Sequence, residues 1–317
     1  MSATSGNPFS TSGNWYRGSV HNHTVASDGK HSVSELSKWY QNHGMDFIVI
    51  TDHNVVADVS KADGLDITVI PGAEIGVCWD EAYGAEVLSL GIDTVKRKGV
   101  HPQDIIYDVL EQGGLPYISH PHLSGVYSGL MMELDGLVGI ETYNLAGVNM
   151  GCRGLATLHL DDLMAVGKIV WGLATDDRHV IGDRPRAWVE VRAESNDRKA
   201  LLNAMRQGFY YSTTGPKIKA ISFSETYIKV ECSEAHRVIL STLPWLSKKV
   251  EADADGPVTK ISMPLESIGS SKSVEAFTQR LIKQEMLSEP KAMRPHVRIE
   301  IDDGRGGFAW SNPIPIP

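Results

Sequence analysis

The stretch His21-Asn22-His23-Thr24, followed by Ser27-Asp28-Gly29 and then by Ile50-Thr51-Asp52-His53, decides the fold. These motifs bring three imidazoles and two carboxylates together around one predicted helix and one predicted strand. Because side chains alternate in direction along an extended chain, His21 and His23 point to the same side. The end of one strand therefore offers two imidazoles to a common metal ion.

Three further polar motifs each follow a short apolar run. They are Pro71-Gly72-Ala73-Glu74, Ile118-Ser119-His120-Pro121-His122 and Ala174-Thr175-Asp176-Asp177-Arg178-His179. The apolar runs are short and rich in β-formers, which favours buried parallel strands. The predicted strands are Phe47 to Ile50, Ile67 to Ile70, Tyr117 to Ile118 and Ile169 to Leu173.

Helical segments separate these strands. Ser32 and Glu35 form a capping box, so a helix is predicted from there to about Asn42, with its end at Gly44. Helical spacing also marks Pro102 to Gln112, about Leu155 to Val166, and Asp197 to Arg206. Alternation of strands and helices over about 200 residues predicts a parallel α/β domain, and a barrel is favoured over an open sheet.

The placement of the polar residues is the strongest functional signal. In a parallel barrel the functional side chains collect at the carboxyl ends of the strands, and the histidines and carboxylates of the motifs all fall there. Structural residues would instead be scattered among helix faces and loops. The sequence therefore predicts a metal site.

The residue types narrow the choice of metal. Imidazole and carboxylate ligands suit zinc, manganese and iron(II), and the absence of cysteine from these motifs excludes a cysteine-rich structural zinc site. Calcium or magnesium alone would use fewer imidazoles. About eight candidate ligands exceed what a single ion with an open position needs, so two or three ions are expected.

The order of these motifs resembles the polymerase and histidinol phosphatase (PHP) family of metal-dependent hydrolases, over about residues 15 to 216. The segments Phe209 to Pro216 and Ala309 to Pro313 further resemble the branch that includes carbaryl hydrolase and related phosphoesterases. The resemblance implies a distorted seven-stranded (β/α) barrel of PHP type with up to three ions at its C-terminal face.

Matching motif by motif, the resemblance also implies the ligands. The expected sets are His21, His23, Glu74 and Asp177 for a first ion, Glu74 and His120 for a second, and Asp28, His53 and His179 for a third. Asp52 is expected to orient an imidazole rather than to bind an ion. One position departs from the family, because Glu86 stands where a histidine is usual. A carboxylate there could bind the second ion with an altered metal preference, or leave that site half-empty.

The expected mechanism is hydrolysis by a hydroxide that bridges two ions, which also hold the substrate and neutralise developing charge. Asp177 and Glu74 are expected to take part in catalysis by binding these ions. Arg178, Arg184 and Arg186 surround the last motif and either clamp a phosphate or are ordinary solvated arginines.

Other polar residues near the motifs have less specific signals. His122 either points into the site or lines its rim. Glu141 and Asn144 follow another predicted strand end, where they could touch substrate or metal. Aromatic residues in two loops, Trp79 and Tyr83 in one and Tyr127 in the other, could stack on a base or an aryl leaving group, or simply pack a lid.

Composition agrees with a protein that acts on small molecules in the cytoplasm. The chain has 317 residues and a net charge of −9, and the short run Lys96 to Lys98 is its closest approach to a basic stripe, so no long nucleic acid is expected as a partner. Neither a membrane-spanning stretch nor a signal-peptide pattern is apparent. The three cysteines are scattered along the chain, which is typical of a protein in a reducing compartment. The sequence is also compatible with a homo-oligomer.

The pattern changes after Gly215 and Pro216, where short strands separated by turns predict an antiparallel β-sandwich. These strands are Lys219 to Phe223, Tyr227 to Glu231, Arg237 to Ser241, Thr259 to Met263 and Val297 to Ile301. A helix is expected at about Val274 to Met286, and Asp302 to Gly307 is expected to be a hairpin turn. The predicted organisation is a flexible segment (1–14), a hydrolase barrel (15–216) and a β-rich accessory domain (217–317) that covers the barrel or forms oligomers.

Two classes of function follow from these observations. The first is a metal-dependent hydrolase that acts on a phosphate ester or short nucleotide, with carbamate or carboxyl-ester hydrolysis as the alternative. The second is a metal-binding module without catalysis. Degenerate scaffolds generally lose several ligands together, and here a single position departs, so the enzyme is favoured.

Overall fold

A computed structural model describes residues 6–77, 85–242, 246–269, 276, 279–280, 283 and 295–316. The α-helices are α1 (Val33–Asn42), α2 (Pro102–Glu111), α3 (Pro121–Ser124), α4 (Ser128–Met132), α5 (Leu145–Gly151), α6 (Thr157–Ala165) and α7 (Arg198–Arg206). Short 3₁₀ helices lie at Val59–Ala62 and Leu265–Ile268.

The strands of the N-terminal part are β1 (Asn14–Ser19), β2 (Phe47–Ile50), β3 (Thr68–Gly76), β4 (Glu86–Leu90), β5 (Leu115–Ile118), β6 (Gly139–Asn144), β7 (Trp171–Thr175), β8 (Trp188–Ala193) and β9 (Tyr210–Thr213). Those of the C-terminal part are β10 (Ile218–Phe223), β11 (Tyr227–Ala235), β12 (Arg237–Ser241), β13 (Lys248–Glu251), β14 (Val258–Pro264), β15 (His296–Asp302), β16 (Phe308–Ser311) and β17 (Ile314–Pro315).

The large sheet is mixed rather than wholly parallel. Its strand order is β13-β12-β15-β16-β9-β8-β1-β2-β3-β4-β5-β6-β7. Strands β1, β2 and β3 pair in parallel, as do β5, β6 and β7, so the four predicted strands are confirmed as members of parallel pairs. The sequence did not predict β4, which runs antiparallel between β3 and β5.

The predicted closed barrel is not confirmed, because among the described residues no backbone ladder joins β7 to β8 or β9. Side chains meet the free edge of β7 instead. The Ser212 hydroxyl donates to the carbonyl of Gly172 at 2.8 Å and accepts from the N–H of Ala174 at 3.0 Å. Asn312 Oδ1 accepts the N–H of Gly172 at 2.9 Å. The backbone polar groups at this edge are therefore paired without a strand neighbour.

A shared apolar core explains why the sheet curls. Val49 of β2, Leu88 of β4, Tyr117 of β5 and Val191 of β8 belong to one buried cluster, into which Leu201 of α7 also packs. Burial of this surface is the main favourable contribution to folding, and it requires strands far apart in the sheet to face one another.

The helices lie close to where their sequence signals placed them. The capping box of α1 is present, since Glu35 N–H donates to Ser32 Oγ and the Glu35 carboxylate accepts the Ser32 N–H at 2.8 Å. The helix buries Leu36 and Tyr40 against the sheet. Helices α2, α6 and α7 match the other three predicted segments to within two residues at each end.

The five predicted C-terminal strands are all present, and Asp302–Gly307 forms the predicted hairpin turn between β15 and β16. The expected independent sandwich is not confirmed, because β16 pairs with β9 and joins β12, β13 and β15 to the large sheet. Strands β10, β11 and β14 form a separate sheet that shares an apolar core with β12 and β15. The predicted helix Val274 to Met286 lies outside the described residues except at four isolated positions.

Part of the predicted flexible N-terminal segment packs against the rest of the chain. Asn7 is buried, and the ring of Phe9 lies 5.2 Å from that of Trp15 and 6.3 Å from that of Tyr211. Residues 1–5 lie outside the described part. No helix in the described ranges is both long and apolar enough to cross a membrane.

We expect Ser212→Ala to lower the free energy of unfolding by about 1–3 kcal/mol, because it leaves two buried backbone groups of β7 without partners. Chemical denaturation followed by circular dichroism would measure the change. Ser37→Ala is the matched control, since Ser37 Oγ is buried and has no hydrogen-bond partner among the described residues. Equal stabilities of the two variants would contradict the proposed role of Ser212.

Candidate metal centre

The strand ends bring nine predicted ligands into one cluster at the edge of the curled sheet. His21 and His23 follow β1, His53 follows β2, and His120 follows β5. Because β4 runs antiparallel to its neighbours, its first residue, Glu86, lies at the same end as the last residues of the parallel strands. The remaining members are Asp28, Glu74, Asp177 and His179.

The carboxylate of Glu74 lies at the middle of the cluster and is 1% exposed. Its Oε2 atom is 3.1 Å from His21 Nε2, 3.4 Å from His23 Nε2 and 3.4 Å from His53 Nδ1. Its Oε1 atom is 3.1 Å from His120 Nε2. The two oxygens thus face different imidazoles, which suits a carboxylate shared by two ions.

Asp177, which follows β7, faces two of these imidazoles and that of His179. Its Oδ1 atom lies 3.2 Å from His23 Nε2, 3.4 Å from His21 Nε2 and 3.6 Å from His179 Nδ1. The backbone of Asp177 has φ +50°, and that of His120 has φ +22°. Positive φ values are uncommon for residues other than glycine and concentrate at functional sites.

Asp28 closes the cluster on its solvent side, and its side chain is 54% exposed. Its Oδ2 atom lies 3.2 Å from His179 Nε2 and 3.7 Å from His53 Nε2, while Oδ1 lies 3.5 Å from His23 Nδ1. This side is the open approach to the cluster.

Glu86 reaches the cluster between two imidazoles. Its Oε1 atom is 3.1 Å from His53 Nδ1, and Oε2 is 3.6 Å from His120 Nε2. The Glu86 carboxylate therefore lies within the cluster, between the His53 and His120 rings.

In the described part of the chain, three overlapping groups have ligand atoms that all lie within 4.8 Å of one another. They are His21, His23 and Asp177; His23, Asp28, His53 and His179; and His53, Glu74 and Glu86. The first group shares His21, His23 and Asp177 with the predicted first ligand set, and the second contains the predicted third set together with His23. In the third group His53 takes the position expected for His120, although His120 also contacts Glu74.

The buried atoms at the centre lack hydrogen-bond partners. Among the residues that the structure describes, no hydrogen bond reaches His21 Nε2, either ring nitrogen of His23, Glu74 Oε1 or Asp177 Oδ1. Buried polar atoms are rarely left unpaired. Divalent cations would supply partners for these atoms, so the donor set fits a metal centre of nitrogen and oxygen ligands.

Glu141 orients this centre, a role the sequence left open between substrate and metal contact. Its carboxylate accepts hydrogen bonds from His21 Nδ1 at 2.7 Å, the Thr175 hydroxyl at 2.6 Å, the His120 N–H at 2.8 Å and the Asn144 amide at 2.9 Å. A proton held on Nδ1 leaves the Nε2 lone pair of His21 free to bind a metal.

Asp52 differs from its expected role. Its carboxylate accepts the N–H and hydroxyl of Thr24, both at 2.7 Å, and the hydroxyl of Ser27 at 2.6 Å. It therefore holds the turn that carries Asp28 rather than an imidazole. A buried carboxylate beside a loop can satisfy the loop backbone as readily as a neighbouring ring, and spacing alone does not distinguish the two.

Arg178 is neither solvated nor placed as the phosphate clamp that the sequence left open as an alternative. Its guanidinium pairs with Asp176, donates to the carbonyl of Arg184 at 3.2 Å and lies over the ring of Trp39, 4.6 Å from its centroid. The side chain is 7% exposed. Arg178 therefore holds the loop after β7 in place.

The other arginines and the rim residues lie outside the cluster. Arg184 and Arg186 are exposed and line a neighbouring cleft. His122 Nδ1 lies 2.8 Å from the Leu155 carbonyl oxygen, which places this residue at the rim rather than among the ligands. Tyr127 is 63% exposed. Trp79 and Tyr83 lie outside the described residues.

The charges of the cluster shift its protonation equilibria. Burial disfavours the charged form of His23 and of His120, but nearby carboxylates, chiefly Asp177 and Glu74 for His23 and Glu74 for His120, raise both pKa values to about 9. Burial alone would raise the pKa of Glu74, yet the surrounding histidines hold it well below its ordinary value. Without metal, protonated imidazoles therefore balance the buried carboxylates.

We expect the metal-free protein to lose stability as pH rises from about 6.5 through about 9, because a raised folded-state pKa stabilises only while the imidazole keeps its proton. Thermal unfolding of chelator-treated protein across this range would measure the trend. Metal-loaded protein is the control, since bound cations replace the protons and remove the loss. An unchanged melting temperature of the metal-free protein would contradict the assignment.

Comparison with known proteins identifies the N-terminal part of the chain. Residues 19–151 match the family model described as PHP domain. An uncharacterized protein of Methanocaldococcus jannaschii is 26% identical over 123 residues, which cover 37% of this chain and 68% of that protein.

A solved structure shows the same kind of fold over most of the chain. A two-domain protein from Bacteroides vulgatus, which contains a predicted PHP-like metal-dependent phosphoesterase, superimposes with a TM-score of 0.53 at 16% identity. The match covers 80% of this chain and 86% of that one, so it extends beyond the PHP region. An amidohydrolase from Chromobacterium violaceum matches with a TM-score of 0.44 at 14% identity, over 53% of this chain and 89% of that one.

Proposed function

With residues 19–151 matching the PHP domain family model, we propose that this protein is a metal-dependent hydrolase, and specifically a phosphoesterase. The observation that carries the proposal is the set of buried nitrogen and oxygen atoms around Glu74 that lack hydrogen-bond partners. An apolar or hydrogen-bonded structural core would not retain them. Their position at the strand ends, open to solvent on the Asp28 side, is that of an active site.

We assign the ligands of two or three manganese, iron or zinc ions to this cluster. They are His21, His23, Asp28, His53, Glu74, Glu86, His120, Asp177 and His179. Bound divalent ions would lower the pKa of a water molecule and polarise the ester oxygen. Of the remaining residues, Glu141 keeps the ring of His21 in the tautomer that binds metal.

The ligands differ in exposure, which suggests how substrate approaches. His21, His23 and Glu74 are at most 1% exposed, whereas the side chains of His53 and His179 are 30% and 33% exposed. The buried side of the cluster keeps water away from the carboxylates of Glu74 and Asp177. The exposed side leaves room for an ester. Substrate therefore reaches the site past Asp28, His53 and His179.

We expect Asp177→Asn to lower phosphoesterase turnover by at least about 100-fold, because it removes one negative charge that holds the cations. Initial rates of manganese-loaded protein on phosphomonoesters, phosphodiesters, aryl carbamates and carboxyl esters would test this. Asp135→Asn is the control, since Asp135 is exposed and lies outside the cluster.

The same panel separates the competing functions. Activity confined to carbamates or carboxyl esters would assign the protein to the carbaryl-hydrolase-like alternative. Bound metal without turnover on any of these substrates would favour a metal-binding module, and equal rates for Asp177→Asn and wild type would contradict the metal mechanism.

We further propose that Glu86 binds the ion that Glu74 and His120 also contact. Its two oxygens face His53 and His120, and it adds a carboxylate at a position where the family usually has an imidazole. Oxygen ligands favour manganese relative to an imidazole at the same place. Glu86 therefore sets the metal preference of this position.

We expect Glu86→His to raise the zinc-to-manganese ratio in protein equilibrated with both metals by about tenfold. Elemental analysis after removal of free metal would measure the ratio without reference to activity. Glu133→His, at an exposed position away from the cluster, controls for adventitious binding by the new imidazole. An unchanged ratio would overturn the role of Glu86.

The domain organisation expected from the sequence stays a proposal. A distorted seven-stranded barrel over residues 15–216 is supported by the curled sheet and its shared core. A sandwich-like accessory part over residues 217–317 is supported by the apolar core between the two C-terminal sheets. The cytoplasmic location, the small-molecule substrate and a homo-oligomeric state also remain predictions.

A further inference from the structure

A cavity lies where the loop after β7 meets the hairpin between β15 and β16. Its volume is about 760 Å³. Residues from both parts of the chain line it, including Tyr143, Arg184, Arg186, Trp188 and Arg305. We call this cavity the arginine cleft.

Two of its guanidinium groups are available for a ligand. Within the described part of the chain, neither Arg184 nor Arg305 forms an ion pair, and both are exposed. Arg186 pairs with the exposed carboxylate of Asp183 at 2.9 Å. In a protein with a net charge of −9, arginines that line one cavity from separate segments are a local concentration of positive charge.

The acidic residue on the hairpin side of the cleft is already engaged. Asp303 Oδ1 accepts the backbone N–H of Arg305 at 2.7 Å and that of Gly307 at 2.8 Å. These bonds shape the turn that carries the Arg305 side chain. The hairpin therefore presents the Arg305 guanidinium to the cleft, while backbone N–H groups bind the Asp303 carboxylate.

The cleft and the candidate metal centre share a wall. The loop after β7 carries Asp177 in the metal cluster and Arg184 and Arg186 in the cleft. Asp176 ties this loop together, because its carboxylate accepts the N–H groups of Arg186 and Ala187 at 3.1 Å and 2.8 Å. An anion in the cleft would thus lie directly across one loop from the metal ligands.

We propose that the arginine cleft binds a phosphate-like anionic group, held by Arg184 from the loop and Arg305 from the C-terminal hairpin. Guanidinium groups suit phosphate oxygens because their N–H donors are planar and permanently charged. The anion is either a distal group of the substrate or a free anion. Only the first of these sources rests on the proposed function.

Titration of chelator-treated, full-length protein with inorganic pyrophosphate in a calorimeter tests the site. We expect Arg305→Gln and Arg184→Gln each to weaken binding by about tenfold, as is usual for loss of one charged hydrogen-bond donor. Lys98→Gln removes an equal charge from an exposed position elsewhere and should bind as the wild type does. If both arginine variants bind pyrophosphate like the wild type, or if the wild type does not bind it, the proposal is overturned.

Kinetics of the manganese-loaded enzyme then identify the source of the anion. A distal substrate group predicts that Arg305→Gln raises KM, with kcat unchanged, for an ester that carries a second phosphate but not for one without it. A free anion predicts that both esters keep their KM although pyrophosphate binding is weakened. Absence of any turnover would count against the proposed function and leave the calorimetric result unaffected.

Discussion

A buried carboxylate surrounded by four imidazoles is the constraint on which the rest of the structure depends. Glu74 is inaccessible to solvent, and its oxygens lie 3.1–3.4 Å from ring nitrogens of His21, His23, His53 and His120. A charged group buried in this way is costly unless cations compensate it. Protons on the histidines can do so in the absence of metal, and divalent ions can do so in its presence. The strand ends, the polar loops and Glu141 all serve to hold these groups in contact.

The proximity of His53, Glu74, His120 and Asp177 could be predicted because each follows an apolar run, and the geometry of parallel strands brings such residues together. The roles of the neighbouring polar residues could not be predicted. Asp52 and Glu141 have the residue types of ligands, and Arg178 lies between two predicted ligands, yet the side chains of Asp52, Glu141 and Arg178 pair with a loop, an imidazole and a carboxylate, respectively. The hydrogen-bond partner of a buried polar group depends on contacts between segments far apart in sequence. Local sequence patterns do not reveal those contacts.

The same distinction applies to the fold. The capping box of α1, the five C-terminal strands and the hairpin at Asp302–Gly307 are local features, and the sequence predicted them. The antiparallel β4 and the pairing of β16 with β9 were not predicted. Strand pairing is set by long-range packing and register, so alternation of apolar residues identifies a strand without identifying its neighbour. The C-terminal region consequently extends the large sheet, where an independent module was expected.

The pairing of β9 with β16 has a consequence for how the chain folds as it is synthesised. Thr213 and Phe308 are in contact although 95 residues separate them. While a ribosome is still translating that interval, one edge of β9 has no strand partner, and unpaired edges are templates for association with other chains. Contacts of such long range also slow folding, because a large loop must close before they form. A chain shortened at Pro216 would keep that edge exposed permanently, so aggregation rather than a free N-terminal domain is the expected result of such a truncation.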